Sequence, residues 1–460
     1  MTVVYEINTA VWLTELGGIG LGDVSGPVWD AIAAPGIDAV WLMGVWQRSP
    51  AGRTIALRDE ELVASFRDTL PDLRDTDVLG SPYCIRDYLV DERFGGPDGL
   101  AAARRALAAR GVKLLLDYVP NHVAPDHRWL TEHPEYLVPG DGIVVGEHGF
   151  ALGRDPFFPP WPDVVQLNAF HPGLRAAAAE TLTSIGAQCD GVRCDMAMLF
   201  LNDVFARTWN LPAPTDEFWS VVLRPVRAEH PDMLFLAEAY WGTEPALLAL
   251  GFDACYDKTL YDHVVHADPR AVRVHLSSSE TGTVRFLENH DEPRAAAVLP
   301  EGQERAAAVA VATLPGVTLW HEGQFTGRRV RVPVFLSRRP DEPPAESLRD
   351  FYSDLLATVD RHGDWQLLTC EGWPDDPSAE QLLAWSWTGT DVRQLIVVNY
   401  ADAPAQGRVR LAWDDLAGTS WTLRERLSAT EYVRDGDDLA ADGLYVGLTS
   451  WGFHWLSVSR

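Results

Sequence analysis

A (β/α)8 TIM barrel with a short inserted loop domain after its third strand and a C-terminal all-β domain is the α/β architecture that the sequence predicts. Three observations point to it. Apolar runs of about five residues alternate with stretches of helical periodicity. Four of those runs end in carboxylates, imidazoles or an Arg, as barrel strands do when they deliver chemistry to one rim. From about Gly363 the pattern changes to short alternating runs divided by Gly, Asp and Pro.

The strand candidates are Val3 to Asn8, Ala39 to Gly44, Val112 to Tyr118, Gly191 to Asp195, Met233 to Glu238, Ala254 to Asp257, Val284 to Glu288 and Val317 to Trp320. Between them lie Ala-rich helical stretches such as Asp98 to Ala109, closed by Gly111, and Pro172 to Ile185, stopped by Gly186. Eight strands alternating with helices is the arithmetic of the barrel. The barrel is expected over 1–122 and 169–362. The segment 123–168, rich in Pro, Gly, His and Trp, reads as an excursion over the C-terminal face; loops of that length are usually functional. Residues 363–460, with runs such as LLAWSWTG and QLIVVNY, read as a β-sandwich domain.

Composition bounds the function. The chain has 460 residues, 47% of them hydrophobic and 23% charged, as in a water-soluble globular protein. Its formal charge is 38 − 66 = −28. That balance disfavours nucleic acid and anionic membrane as partners, because phosphate binding needs clustered Lys and Arg. A neutral substrate fits better. The five cysteines form no CxxC pair, so neither a zinc site nor a disulfide framework is expected. No basic-then-apolar leader opens the chain and no apolar run approaches a membrane span, so a cytoplasmic location is expected. The oligomeric state is left open.

The chemistry sits at the strand ends, in DYVPNH (Asp117 to His122), GVRCD (Gly191 to Asp195), FLAEAYW (Phe235 to Trp241) and FLENHD (Phe286 to Asp291). Retaining glycosidases use two carboxyl groups, one attacking the anomeric carbon and one passing a proton. Asp195 suits the nucleophile role, because Arg193 shares its face of the strand and would keep it ionised and oriented. Glu238 ends a buried apolar run, where a raised pKa suits a general acid. Asp291, flanked by Asn289 and His290, would stabilise positive charge, with His122 and His290 donating to hydroxyls from opposite sides. Taken singly, each of these is an ordinary strand-end charge. Together, in barrel order, they are not.

That order resembles the α-amylase family, glycoside hydrolase family 13, whose four sequence regions match the four clusters. The resemblance covers about 320 residues. It implies Asp195 as nucleophile, Glu238 as acid/base and Asp291 as transition-state stabiliser, with Asp117, His122, Arg193 and His290 around the attacked glucosyl unit. In GSPYCIRDY, Tyr83 resembles the family's aromatic platform under the same ring. The segment DVVQLN (Asp163 to Asn168) resembles the family's fifth region, and the all-β tail resembles its C-terminal domain. No cofactor is required on this reading. A calcium ion is compatible with it, held by Asn121 and by later carboxylates such as Asp155 or Asp163. Trp46, Trp129, Trp161 and Trp241 are the candidate sugar platforms among 18 tryptophans.

Departures narrow the reading. Endo-amylases follow the nucleophile with a Lys-His pair, whereas here Met196 to Phe200 are all apolar. NHDEPR looks closer to members that act on short α-glucosides or transfer glucosyl units. The Glu usual after the eighth strand is missing from HEGQFTG, where Phe325 follows Gln324. The expected function is therefore a retaining hydrolase of α-glucosidic bonds in α-glucans or short α-glucosides. The alternatives are a transglycosylase, glucosyl isomerase or sugar phosphorylase on the same barrel, and, from another class, a non-catalytic carbohydrate-binding or partner subunit.

Overall fold

In the computed structural model, which describes residues 2–34, 36–278, 282–390 and 392–460, eight parallel strands close into a barrel. They are β1 (Val3–Asn8), β2 (Ala39–Met43), β3 (Lys113–Tyr118), β4 (Gly191–Cys194), β5 (Leu234–Ala237), β6 (Ala254–Tyr256), β7 (Thr283–Arg285) and β8 (Val317–His321). Each strand pairs with its sequence neighbours, and β1 closes on β8. Every expected strand is present: β1 has the expected bounds, β8 runs one residue further, and each of the others falls one to three residues short at one end or both. The difference falls at the C-terminal ends of β4, β5 and β7, where the carboxylate-bearing residues leave the ladder to enter loops.

Alternation along the strands builds the site. Side chains of Val4, Ala39, Trp41, Leu115, Leu236, Ala254, Tyr256, Val284 and Leu319 form one apolar cluster inside the barrel. Their neighbours Val3, Val40, Leu114, Val192, Phe235, Cys255 and Trp320 belong to the larger layer beneath the helices. Two residues further along each inward row the chemistry changes, because strand side chains repeat every second residue. Val4 leads to Glu6, Leu115 to Asp117, Leu236 to Glu238 and Leu319 to His321. The parallel register then sets Arg193 beside Asp117 and Glu6 beside His321. An apolar plug thus carries a polar floor at its C-terminal end.

After β3 the chain makes a three-stranded antiparallel sheet from His122–Val123, Leu152–Gly153 and Trp161–Gln166, and a hairpin from Pro139–Val145 and His148–Phe150. No periodicity announces these strands, for a local reason. The hairpin is Gly-rich; a Cβ at Gly140 would meet the Ala151 backbone at 2.8 Å, so closeness rather than an apolar face selects its residues.

The C-terminal domain pairs a six-stranded antiparallel sheet with a three-stranded one. Leu382, Ala384, Leu395, Val397, Leu456 and Val458 share a core with Ala405, Val409, Leu444 and Val446 of the smaller sheet. The opposite face, with Leu383, Trp385, Trp387, Ile396, Val398 and Trp455, joins the barrel's core. Its contact is the helix Glu301–Thr313, buried on almost every side. Trp385 donates its indole N–H to Thr313 Oγ1 at 3.2 Å, and Trp387 to the Thr313 carbonyl at 2.7 Å. No described helix is long and apolar enough to cross a membrane.

Candidate active site

A cavity of about 350 Å³ opens at the C-terminal rim of the barrel. Ser81, Tyr83, His122, Trp161, Asp163, Val164, Asp195, Met196, Glu238, Tyr240, Asp291 and Phe335 line it. The three carboxyl groups expected to meet therefore do meet, from the ends of β4, β5 and β7.

Arg193 organises the first two. Its Nη1 donates to Asp195 Oδ1 and its Nη2 to Glu238 Oε2, each at 2.6 Å. The guanidinium is fully buried and lies 5.1 Å from the Tyr83 ring centre, 5.4 Å from Trp41 and 5.8 Å from Tyr256. Aromatic faces around a dry cation keep its charge in place. Burial raises the Asp195 carboxyl above its ordinary pKa even though Arg193 pulls the other way. Arg193 orients the aspartate and favours its ionised form, as expected, while desolvation opposes and outweighs that attraction. Burial likewise raises Glu238.

Glu238 is saturated on one side. Oε2 accepts from Arg193 and also from the Met196 backbone N–H at 2.7 Å, while Oε1 accepts from the Tyr240 hydroxyl at 2.7 Å. Met196 reaches that position in left-handed backbone, φ 42° and ψ 43°. For a residue with a Cβ this costs on the order of 1–2 kcal/mol, a strain characteristic of functional sites. The apolar run after Asp195 is divided in its work: Met196 faces the cavity, while Ala197, Met198, Leu199 and Phe200 are buried as core.

Asp291 stands apart, its carboxylate half-exposed toward the opening. Its Oδ2 lies 3.0 Å from His290 Nε2, and Tyr83 Oη lies 2.8 Å from the same nitrogen. His290 Nδ1 is bonded to Glu6. Burial opposes charge on the imidazole, but Asp291 and Glu6 together hold His290 well above its usual range. Burial also pushes Asp291 upward, and the imidazolium more than reverses it, down to about 2. Glu6, His290 and Asp291 form a relay of alternating charge that enters the cavity from beneath.

Asp117 and Arg193 lie under the cavity floor rather than on its wall. Asp117 accepts from Trp41 Nε1 at 3.1 Å and from the Gly44 N–H at 2.7 Å, and burial pushes it up to about 6. His122 is on the wall, 5.3 Å centre to centre from the Trp161 ring, and burial brings it down to about 4, so it is neutral. His290, with both nitrogens engaged, is not a second free hydroxyl donor facing it. Asn121 lies one residue before His122, its Oδ1 accepting from Gln166 Nε2 at 2.9 Å.

Of the four tryptophans expected as platforms, Trp161 lines the cavity. Trp241 is half-exposed and packs edge-on against Phe157 at 4.8 Å. Trp129 faces a separate opening with His133 and Tyr136. Trp46 is a correction: it is fully buried and donates to the Asp117 carbonyl at 2.8 Å, in a short strand, Trp46–Arg48, that pairs with Ile85–Val90. Two residues escaped sequence reasoning. Glu6 is the one charge in VVYEIN, which was its signal, and Tyr240 follows Glu238 by two residues on the same face.

A model of the α-amylase catalytic domain matches residues 18–142. The α-amylase MalA of Haloarcula japonica is 26% identical over 428 residues, 88% of this chain and 56% of that protein. The trehalose synthase/amylase TreS of Mycobacterium tuberculosis is 28% identical over 198 residues, 37% of this chain and 32% of that protein. This chain therefore spans little more than half of the first and a third of the second. Among solved structures, the noncanonic maltogenic α-amylase AmyB of Thermotoga neapolitana superimposes with a TM-score of 0.71 at 18% identity, over 100% of this chain and 99% of that one. The α-amylase of Lactobacillus plantarum gives 0.71 at 20%, over 99% and 98%. These two likenesses establish the fold along the whole length. With the ordered motifs, the rim they build and the relative aligned across most of the chain, they lead to one conclusion: the chain has the α-amylase fold and is similar to the α-amylase catalytic domain in motif order.

Proposed function

We propose that this chain is a retaining glycosidase acting on α-glucosidic bonds of α-glucans or short α-glucosides. The observation that carries the reading is the single guanidinium of Arg193 joining Asp195 and Glu238 at 2.6 Å each, with Asp291 on the same cavity wall. Asp195 attacks the anomeric carbon as the carbon–oxygen bond to the leaving sugar breaks. Glu238 gives that oxygen its proton. Since Arg193 and Met196 both donate to Oε2, the proton is carried on Oε1. Asp291, kept ionised by His290, faces the positive charge that develops on the sugar ring. The now ionised Glu238 then takes a proton from water, whose oxygen displaces Asp195 and restores the α configuration. Tyr83, His122 and Trp161 would surround the sugar in the cavity.

A second reading, transfer of the glycosyl unit to a sugar or phosphate instead of water, draws support from one feature. The wall after Asp195 offers Met196 rather than a Lys-His pair, and dry walls slow the entry of water. A merely carbohydrate-binding subunit is a poor account of two carboxyls raised by burial beside a third held ionised by an imidazolium. Cys84, Cys189, Cys194 and Cys370 are free thiols, which suits a reducing compartment and supports a cytoplasmic location. The test is to incubate the protein with maltooligosaccharides, sucrose, trehalose and an aryl α-glucoside, with and without phosphate, and follow the anomers by NMR. First release of α-anomers is expected, and Asp195→Asn should abolish it. First release of β-anomers would overturn the mechanism, and phosphate-dependent formation of a sugar phosphate would move the assignment to a phosphorylase.

A further inference from the structure

The seam between β3 and the inserted segment is closed by one amide group. Gln166 ends the strand Trp161–Gln166 and pairs opposite His122. Its side chain is fully buried. Nε2 lies 2.9 Å from Asn121 Oδ1, 2.9 Å from the Asn121 carbonyl and 3.0 Å from the Leu167 carbonyl. Oε1 accepts the Arg154 N–H at 3.3 Å. These partners fix which end of the amide is which, since an oxygen turned inward would face three acceptors.

Three oxygens converging on one buried point, a carboxamide and two carbonyls, are also part of the donor set of a hard cation. The point is occupied here by nitrogen at hydrogen-bonding distances. The carboxylates a calcium ion would need are elsewhere. Asp155 accepts the N–H groups of Phe157 and Phe158 at 2.6 and 3.0 Å, and Asp163 lines the active-site cavity. Among the described residues no three acidic, His or Cys side chains are grouped so that they could hold a metal ion. The residues present therefore do not fit a calcium ion at Asn121.

We infer that the Gln166 carboxamide is a built-in neutral substitute for a cation: it ties the inserted segment to the barrel and makes the seam independent of divalent metal. The consequence reaches the cavity, because Asn121 Nδ2 lies 3.3 Å from His122 Nδ1 and so helps set the wall. This inference does not depend on the reaction proposed above.

The test uses the full chain and reads metal content and thermal midpoint, with no activity assay. The protein as purified should contain no stoichiometric calcium, and its midpoint should be the same in excess EDTA and in millimolar calcium. Gln166→Asp exchanges the donor for a carboxylate among three oxygens and leaves room for an ion. It should melt lower than the parent in EDTA and rise with calcium concentration, as linkage requires of a ligand that binds only the folded state. The isosteric Gln166→Glu serves as second variant. Bound calcium in the parent, or a fall in its midpoint with EDTA, would overturn the inference. So would a Gln166→Asp midpoint that calcium leaves unmoved, since the three oxygens would then not form a cation cage. If neither variant folds, the metal content and EDTA response of the parent decide alone.

Discussion

The Tyr240 hydroxyl donates to Oε1 of Glu238 at 2.7 Å, the one carboxyl oxygen that Arg193 and Met196 leave for proton transfer. Burial favours the protonated acid, and this hydrogen bond favours the carboxylate, so Tyr240 sets how readily Glu238 changes state. Tyr240→Phe removes the donor without emptying the space. The Glu238 pKa should rise, and the alkaline limb of the kcat/KM profile should move to higher pH. A profile that falls in height without moving along the pH axis would assign Tyr240 a packing role only.

Glu6 reaches Asp291 through His290. Replacing Glu6 by Gln removes a negative partner of the imidazolium, whose pKa should fall toward its ordinary range. Asp291 then loses the attraction that holds it at about 2 and titrates higher. The acid limb of kcat/KM should move upward by about one to two pH units, in the range that one neighbouring opposite charge commands. An acid limb that stays in place would mean that the relay does not govern Asp291.

Glu238→Gln should lower turnover of maltooligosaccharides by about 10²–10⁴-fold. An aryl α-glucoside with an acidic phenol should lose much less in the bond-breaking step, because its leaving oxygen needs no proton. Pre-steady-state release of the phenol separates that step from the return of water. Equal losses on both substrates would place the acid elsewhere.

Glu304 gives a pH dependence remote from the cavity. It is buried in the helix Glu301–Thr313 and accepts from the Tyr352 hydroxyl at 3.0 Å. Burial raises it from 4.5 to about 7, with the Tyr352 bond opposing. Between those values the folded protein binds more protons than the unfolded chain, so stability falls as pH rises through the window. The loss is on the order of 3 kcal/mol once both states are ionised. Glu304→Gln should melt with a flatter dependence between pH 5 and about 8, and parallel melting curves would refute the assignment.

Much of this was legible in the sequence because strands announce themselves locally. VVYEIN, KLLLDY and LFLA are mostly apolar, and each carries a carboxylate near or just past its C-terminal end, Glu6, Asp117 and Glu238. Asp195, Glu238 and Asp291 could be read for that reason. Glu6 could not be assigned to His290, because 284 residues separate them and only closure of β1 on β8 brings them together. Gln166 escaped for a similar reason: two of its three acceptors are backbone carbonyls, which no sequence motif records. The strands of the inserted segment were silent because close backbone approach, not alternation, selects them. In the C-terminal domain, burial of the larger sheet on both faces turned alternation into continuous runs such as LIVV.

That doubly buried sheet has a mechanical consequence. Thr313 is gripped by two indoles from the C-terminal domain, and Arg361 reaches back to the carbonyls of Leu314 and Gly316, both at 3.2 Å. The helix between them is mostly Ala and Val, too small to keep its outer surface dry unaided. Barrel and sheet therefore share one cooperative boundary, and heat should dissolve them in a single calorimetric transition. A chain cut after residue 362 would bare that helix and favour self-association over a free-standing barrel.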